Sequence, residues 1–257
     1  SALKRSSSGF LQVVGLWTPP ATPTQDMFGQ TQQPISSWQQ VQDALRQEYE
    51  VRNVDLSTGT VAPDIDVLVL VGPQNLDDKA RYAVDQYLMR GGAVIVAAGN
   101  VTIAPDQMTG GLGVQPVAGG LQEMLAHYGF EVQSSLVMDP QNEPFPIPVT
   151  RQVGDYQVQE FQALDYPFFV DVRSDGMAEG QDDYNIQPNF ELYPEYGFPR
   201  LGETQSYTLA VSARGVFESY FRDKPSPLTE TEEGPDEAAA DDAAAEDADA
   251  TPETPSV

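Results

Sequence analysis

DIDVLVLVGPQNLDDKARYAVDQYLMRGGAVIVAAGN, residues Asp64 to Asn100, is the stretch whose reading decides the fold. Val67 to Val71 is an unbroken apolar run, too short for a membrane span and rich in β-branched residues. That composition suits a strand buried on both faces. Gly72 and Pro73 end it, and Asp77 stands where a helix N-cap belongs, with Asp78 adding negative charge to the positive first turn. Leu76, Ala80, Val84, Tyr87 and Leu88 recur at intervals of three to four residues, which gives one apolar helical face. Arg90 sits at the negative end of that helix, and Gly91-Gly92 supplies a left-handed stop. Ala93 to Ala98 then reads as a second buried strand. Strand, helix and strand in this order and length predict a right-handed parallel crossover.

Upstream, Phe10 to Leu16 reads as the first strand and Thr18 to Ser36, with four prolines, as a long loop. Ser37 and Gln40 fit a capping box at the head of a helix whose buried face is Trp38, Val41, Leu45 and Tyr49. Val51 to Leu56 is the second strand. The order is therefore βαββαβ with parallel pairing expected.

Downstream, Ile103 to Gly120 holds five glycines and two prolines and reads as loop. Leu121, Met124, Leu125 and Tyr128 mark a short amphipathic helix stopped by Gly129; Phe130 to Met138 is extended, and Asp139-Pro140-Gln141-Asn142 is a turn. Pro144, Pro146 and Pro148 keep the chain extended without offering ladder donors. From Arg151 the texture turns to β: Tyr156 to Gln159, Phe168 to Val172 and Tyr207 to Ala213 read as strands, Asp175-Gly176 as a turn and Met177 to Arg200 as irregular. Gly215 to Phe221 is expected to pack its aromatics on the last strand. These textures divide the chain into residues 1–9 as linker, 10–145 as a parallel-sheet domain, 146–225 as a β-rich extension and 226–257 as an acidic tail. The tail has no apolar face to bury and is expected to be disordered.

At 257 residues the chain can bury a sizeable core. Its net charge is −26, and eleven of its 39 acidic residues fall after Pro225 with no basic residue beside them. Twenty-eight acidic residues against 13 basic ones remain before that point, a balance that argues against nucleic acid and anionic membrane as long-range partners. With no cysteine there is no disulfide, thiolate metal site or cysteine nucleophile. No segment reaches eighteen apolar residues. Ser1-Ala2 reads as a cloning remnant, so a targeting or membrane segment is expected to have preceded it.

In a parallel sheet, ligands sit beyond the carboxyl ends of the strands. That rule selects Trp17 and Phe28 around the first loop, Gly72, Gln74 and Asn75 in the turn, and Asn100 after the last strand as candidate ligand-binding residues. Gly72 to Asn75 precedes a helix N-terminus and could receive an anion, but Asp77 and Asp78 would repel one, which favours a plain scaffold turn. His127 suits the end of its helix by charge alone. Asp171, Asp175, Glu179, Asp182 and Asp183 lack the spacing of a calcium loop and read as a solvated acidic segment. Walker, GxSxG, HExxH and dinucleotide signatures are missing: Gly111-Leu112-Gly113 meets Pro116 where a third glycine belongs. No catalytic residue, metal or cofactor is assigned.

Three segments carry a resemblance: Val67 to Gly99, Leu125 to Asn142 (LAHYGFEVQSSLVMDPQN) and Tyr207 to Phe221 (YTLAVSARGVFESYF). "DQYLMRGG" followed by "DPQN" and "GxFxSYF" resembles the extracytoplasmic region of the GldG-like auxiliary components of ABC transporters, a family grouped with gliding-motility transport. The resemblance implies a three-layer α/β domain similar to class I glutamine amidotransferases (flavodoxin-like), without their catalytic cysteine, and an added β-rich C-terminal part. It implies a non-enzymatic protein at the periplasmic face of the inner membrane, anchored by helices outside this chain. Its partners would be an ABC permease and ATPase. The stretch between Met177 and Pro188 is shorter than in that family, and the chain ends within the acidic region, ahead of a further family strand. The expected function is binding of a partner protein or exported substrate. The alternatives are a sugar or peptide receptor with a pocket lined by Trp17 and Phe28, and, last, a degraded hydrolase.

Overall fold

The computed structural model describes residues 11–20, 24–25, 31–32, 38–105, 112–142, 144–154, 156–182, 184–194, 197–200 and 203–228. Five strands and two helices make the first half: β1 (Val13–Trp17), β2 (Thr24–Gln25), β3 (Thr31–Gln32), α1 (Gln39–Arg46), β4 (Glu50–Asn53), β5 (Val67–Val71) and α2 (Asp78–Met89). There follow β6 (Ala93–Ala97), β7 (Val101–Pro105), β8 (Leu112–Pro116), α3 (Gln122–His127), β9 (Leu136–Met138), β10 (Phe145–Val153), β11 (Tyr156–Leu164) and β12 (Glu179–Gln181). Among the described residues no helix is long and apolar enough to cross a membrane.

The centre is a four-stranded, all-parallel sheet in the order β4-β1-β5-β6. The expected parallel α/β architecture is therefore present. From β1 the chain steps one way to β4 and from β5 the other way to β6, so right-handed crossovers put α1 and α2 on opposite faces. The α2 face carries the main core. Leu68 and Leu70 of β5 pack with Ala80, Ala83, Val84 and Tyr87 of α2, and Leu121 and Met124 join them. Strand alternation explains the choice of side: the register sets Leu68 and Leu70 beside Val94 and Val96, and all four turn toward α2. The other face is covered over β1, where Val14 and Leu16 are buried, and thins toward the β6 edge. No residue of α1 is buried, and Ile95 of the edge strand β6 is 57% exposed.

Sequence signals act locally as expected around α2. The Asp77 carboxylate accepts from the Ala80 N–H at 2.7 Å, and Gly91 takes the left-handed conformation with φ of 88°. Arg90 donates to the Val61 carbonyl at 2.9 Å, and the Tyr87 hydroxyl donates to the Ile65 carbonyl at 2.9 Å. Both bonds tie the loop before β5 to the helix after it.

Several expectations are corrected. Trp38, in a left-handed conformation with no side-chain cap, precedes α1, so the helix starts at Gln39 rather than Trp38; Ser37, the expected cap of the Ser37–Gln40 box, lies outside the described residues. The supposed loop after Asn100 holds the antiparallel pair β7–β8, because Val101, Thr102 and Ile103 are β-formers that find a partner despite the nearby glycines. Phe168 to Val172 is not a strand: Pro167 is fully buried, the Phe169 N–H bonds back to the Tyr166 carbonyl at 2.9 Å, and the aromatics cluster instead. Tyr207 to Ala213 has no partner strand among the described residues, and Leu209 and Val211 are exposed. The irregular stretch after Met177 contains β12, antiparallel to β9, and the Ala178–Gln205 bridge beside it. Of the tail expected to be disordered from 226 to 257, residues 229–257 lie outside the described residues.

Strands β10 and β11 pair over nine residues each, and among the described residues neither pairs with a third strand. Pro146 and Pro148 are two apart, so both turn their missing N–H to one edge of β10. Met138 and Phe198, with Tyr166 and Phe168 against them, form a second small core. Its rings meet edge to face, Phe168 and Phe198 at 5.3 Å.

Gly91 and Gly92 separate two glycine roles. A methyl on Gly92 would overlap the Tyr87 ring, which its hydroxyl bond holds in place, whereas Gly91 has open space but a positive φ. Gly92→Ala is expected to cost about 2 kcal/mol by overpacking and Gly91→Ala about 1 kcal/mol by backbone strain, read from urea unfolding.

Candidate functional site

The site is organised by Asp85, a carboxylate on the buried side of α2 with 0% exposure. It accepts from the Ser219 hydroxyl at 2.7 Å, the Tyr220 N–H at 2.8 Å, the Gln86 amide at 2.9 Å and the Tyr128 hydroxyl. A buried carboxylate without such donors would be strongly unfavourable, and here four supply what water would otherwise give. Two of the four come from residues more than 130 positions away. Asp85 therefore docks the segment around Tyr220 onto α2 and α3. Aromatics complete the joint: Phe221 meets Tyr82 at 5.3 Å and Phe217 meets Tyr128 at 5.7 Å. His127 lies between Tyr128 and Tyr220, with Nε2 at 3.1 Å from the Glu218 carbonyl oxygen. The expected packing of Gly215 to Phe221 occurs, but against the helices rather than a strand.

Beside this joint opens a cleft of about 260 Å³ at the carboxyl end of the sheet. Arg81 from α2, Asn100 after β6, Gln122 and Glu123 from α3, and Tyr220 are among its walls. Asn100 donates to the Val132 carbonyl at 2.5 Å and Gln122 to the Gly99 carbonyl at 2.8 Å, which fixes both amides at the rim. Glu123 accepts from the Tyr220 hydroxyl at 3.1 Å. Arg81 is bonded to Asp78 through one terminal nitrogen at 3.2 Å, while its Nε is shut from solvent with no hydrogen-bond partner among the described residues.

Of the six residues expected to bind a ligand, Asn100 alone lines this cleft. Trp17 packs against the main core, and Phe28 lies outside the described residues. Gly72 and Asn75 both have positive φ, and the N–H groups of Asn75 and Leu76 bond to the carbonyls of Ala118 and Gly119 at 2.8 Å. Those donors are spent within the protein, so the turn is a scaffold joint and Gln74 belongs to it. The acidic residues from 171 to 183 scatter: Asp171 pairs with Arg173 at 3.3 Å, Ser135 donates to Asp182 at 2.5 Å, Glu179 is buried, and Asp183 lies outside the described residues. Sequence reasoning passed over Arg81, Gln122, Glu123, Tyr220 and Asp85. For Asp85 a signal was available, an acidic residue among the apolar positions of an amphipathic helix.

The second signature acid behaves alike. Asp139 of DPQN is 3% exposed and accepts from the N–H groups of Gln141 at 2.8 Å and Asp171 at 3.2 Å, with Arg173 at 3.4 Å. Asn142 accepts from the Tyr166 N–H at 3.2 Å. Both acids spend their oxygens on holding loops.

A model of the family described as an ABC-type uncharacterized transport system, the auxiliary family, matches residues 14–178. The chain belongs to that family. The match spans the parallel sheet, both α2-face helices, the DPQN turn and the β10–β11 ribbon, and it stops before the segment that Asp85 docks. No curated protein and no solved structure gives a match. The family name makes its members auxiliary components of ABC-type transport systems, which supports transporter partners and an α/β chain working within such a system.

Asp85→Asn in this auxiliary-family chain keeps the shape but turns an acceptor toward a donor, and is expected to cost about 2–4 kcal/mol in urea unfolding. Burial, then the Asp85 carboxylate, push the Tyr128 phenol well above its ordinary value of 10.0, and burial also raises Tyr87 and Tyr166. Each ionises at higher pH folded than unfolded, so its contribution is whole below pH 10 and is lost as pH rises toward the folded value. Urea midpoints followed from about pH 8 to about pH 11.5 are expected to fall in the upper part of that range, and Tyr128→Phe to flatten the fall.

Proposed function

We propose that this chain is the non-catalytic extracytoplasmic part of an auxiliary subunit of an ABC transport complex, where it binds a partner protein or the exported substrate. Family membership over residues 14–178 carries this reading. Its GldG-like segments favour a periplasmic position at the inner membrane, anchored by helices outside this chain and working beside a permease and an ATPase. The same segments favour the amidotransferase-like variant of the parallel α/β fold. The signature residues lend support, since Asp85 and Asp139 are committed to packing rather than to an acid–base pair. The net charge of −26 favours protein over nucleic-acid partners.

The natural full-length protein, tagged and extracted in mild detergent, is expected to bring down an ABC permease and ATPase. A transporter that assembles and works unchanged in cells lacking the protein would overturn the reading.

A second reading, a receptor for a small ligand, is favoured by the cleft at the carboxyl end of the sheet, where parallel α/β folds place their ligands. It moves the expected pocket away from Trp17 and Phe28 to Arg81, Asn100 and Glu123.

A further inference from the structure

The walls of the cleft have an uneven chemistry. Asn100 and Gln122 each spend one N–H on the carbonyls of Val132 and Gly99, which fixes both amides and leaves their oxygens as acceptors that a ligand could use. Glu123 adds a carboxylate that, among the described residues, holds only the Tyr220 hydroxyl. Against these acceptors stands the cation of the walls, Arg81, tied to Asp78 by one terminal nitrogen and with its Nε shut from solvent, which leaves the second terminal nitrogen, without a partner among the described residues, for the cleft. A guanidinium nitrogen left in this way is suited to a carboxylate, which it takes in a charge-assisted hydrogen bond. A cluster of three acceptors suits a group with several N–H donors.

We infer that the cleft formed by Arg81, Asn100, Gln122 and Glu123 binds a small zwitterion, an α-amino acid or dipeptide, with its carboxylate on Arg81 and its ammonium on the three acceptors. The inference rests on the ligand-receptor reading and narrows it. The charge of the chain separates a zwitterion from a plain acid, because a free anion must approach a protein of net charge −26 and a zwitterion carries no net charge. The surroundings of Tyr220 separate it from a sugar. Lys224 Nζ lies 3.2 Å from the centre of that ring, and His127 and Phe221 meet it edge to face at 5.6 and 5.2 Å, so the one aromatic wall is not a free stacking platform. A volume of about 260 Å³ falls just below the drug-sized range of roughly 300–1,000 Å³ and leaves room for one or two residues.

The test is isothermal titration of the 257-residue chain with glycine, L-alanine and L-alanyl-L-alanine, with acetate and ethylamine as single-charge controls and glucose and maltose as sugars. At least one zwitterion is expected to bind at least tenfold more tightly than either single-charge control. Arg81→Gln and Glu123→Gln, each checked for an unchanged unfolding midpoint, are expected to weaken it at least tenfold. If Arg81→Gln does not fold, Arg81→Met keeps the apolar stem without the charge and is expected to show the same loss. Sugar binding without zwitterion binding overturns this inference and leaves the receptor reading standing. No binding across the panel overturns both, and zwitterion binding indifferent to both substitutions overturns the assignment to this cleft. Co-purification with the permease and ATPase, the test of the main reading, is expected to survive both substitutions.

Discussion

A carboxylate buried on the sheet side of α2 needs donors, and meeting that need shapes much of this molecule. Asp85 has no cation beside it among its hydrogen-bond partners; two hydroxyls, one amide and one backbone N–H surround it instead. Neutral donors from three parts of the chain must therefore arrive together, because any one missing leaves charge poorly solvated in a medium of low polarity. α2 contributes Asp85 and Gln86, the end of α3 contributes Tyr128, and the far C-terminal segment contributes Ser219 and Tyr220. The sheet and its first helix can form from neighbouring sequence. The joint cannot, and it decides where residues 217–221 lie.

The cleft follows from that joint. Tyr220 is placed by its N–H on Asp85 and turns its hydroxyl to Glu123, so one residue closes the buried network and walls the open one. On the opposite side the turn after β5 is stitched to the loop before α3 by the paired bonds from Asn75 and Leu76 to Ala118 and Gly119. That stitching uses the N–H groups of Asn75 and Leu76, and with Asp77 capping the helix it leaves the position poorly suited to an anion. The polar groups left facing the cleft are side chains, and their balance of acceptors over donors is set by which amide edges were already spent on the backbone.

Local signals explain what could be read in the sequence. Around α2 the period of apolar residues, the Asp77 cap and the glycine stop act within a few positions of each other, and strand, helix and strand come out as expected. Parallel pairing of β1, β5 and β6 was legible as well, since near-continuous apolar runs belong to sheets covered by crossovers, while β4, Glu50-Val51-Arg52-Asn53, was placed by the strand–helix–strand order alone. Strands that depend on a distant partner were not. Thr102 and Ile103 pair across to Gln115 and Val114 although glycines surround them, whereas Tyr207 to Ala213, with a better alternating pattern, has no strand partner among the described residues. β-propensity describes a fit to a neighbour, and where the neighbour is missing it predicts little.

The same division separates the site from the scaffold. Asn100 was reachable because it follows a predicted strand, and position in a parallel sheet is a rule about topology. Arg81, Glu123 and Tyr220 come from three separate segments, and the bond from Tyr220 to Asp85 spans 135 positions. No periodicity joins residues so far apart. What sequence does offer is a contradiction: Asp85 stands among Ala80, Ala83, Val84 and Tyr87 on the side of the helix that must face the core. A charged residue at such a position is tolerated only if something comes to meet it, and the segment carrying Ser219 and Tyr220 has hydroxyl-bearing side chains and aromatics together. An acid out of place in an apolar stripe therefore points to a docking partner elsewhere in the chain, and the wall of the cleft is built by that partner.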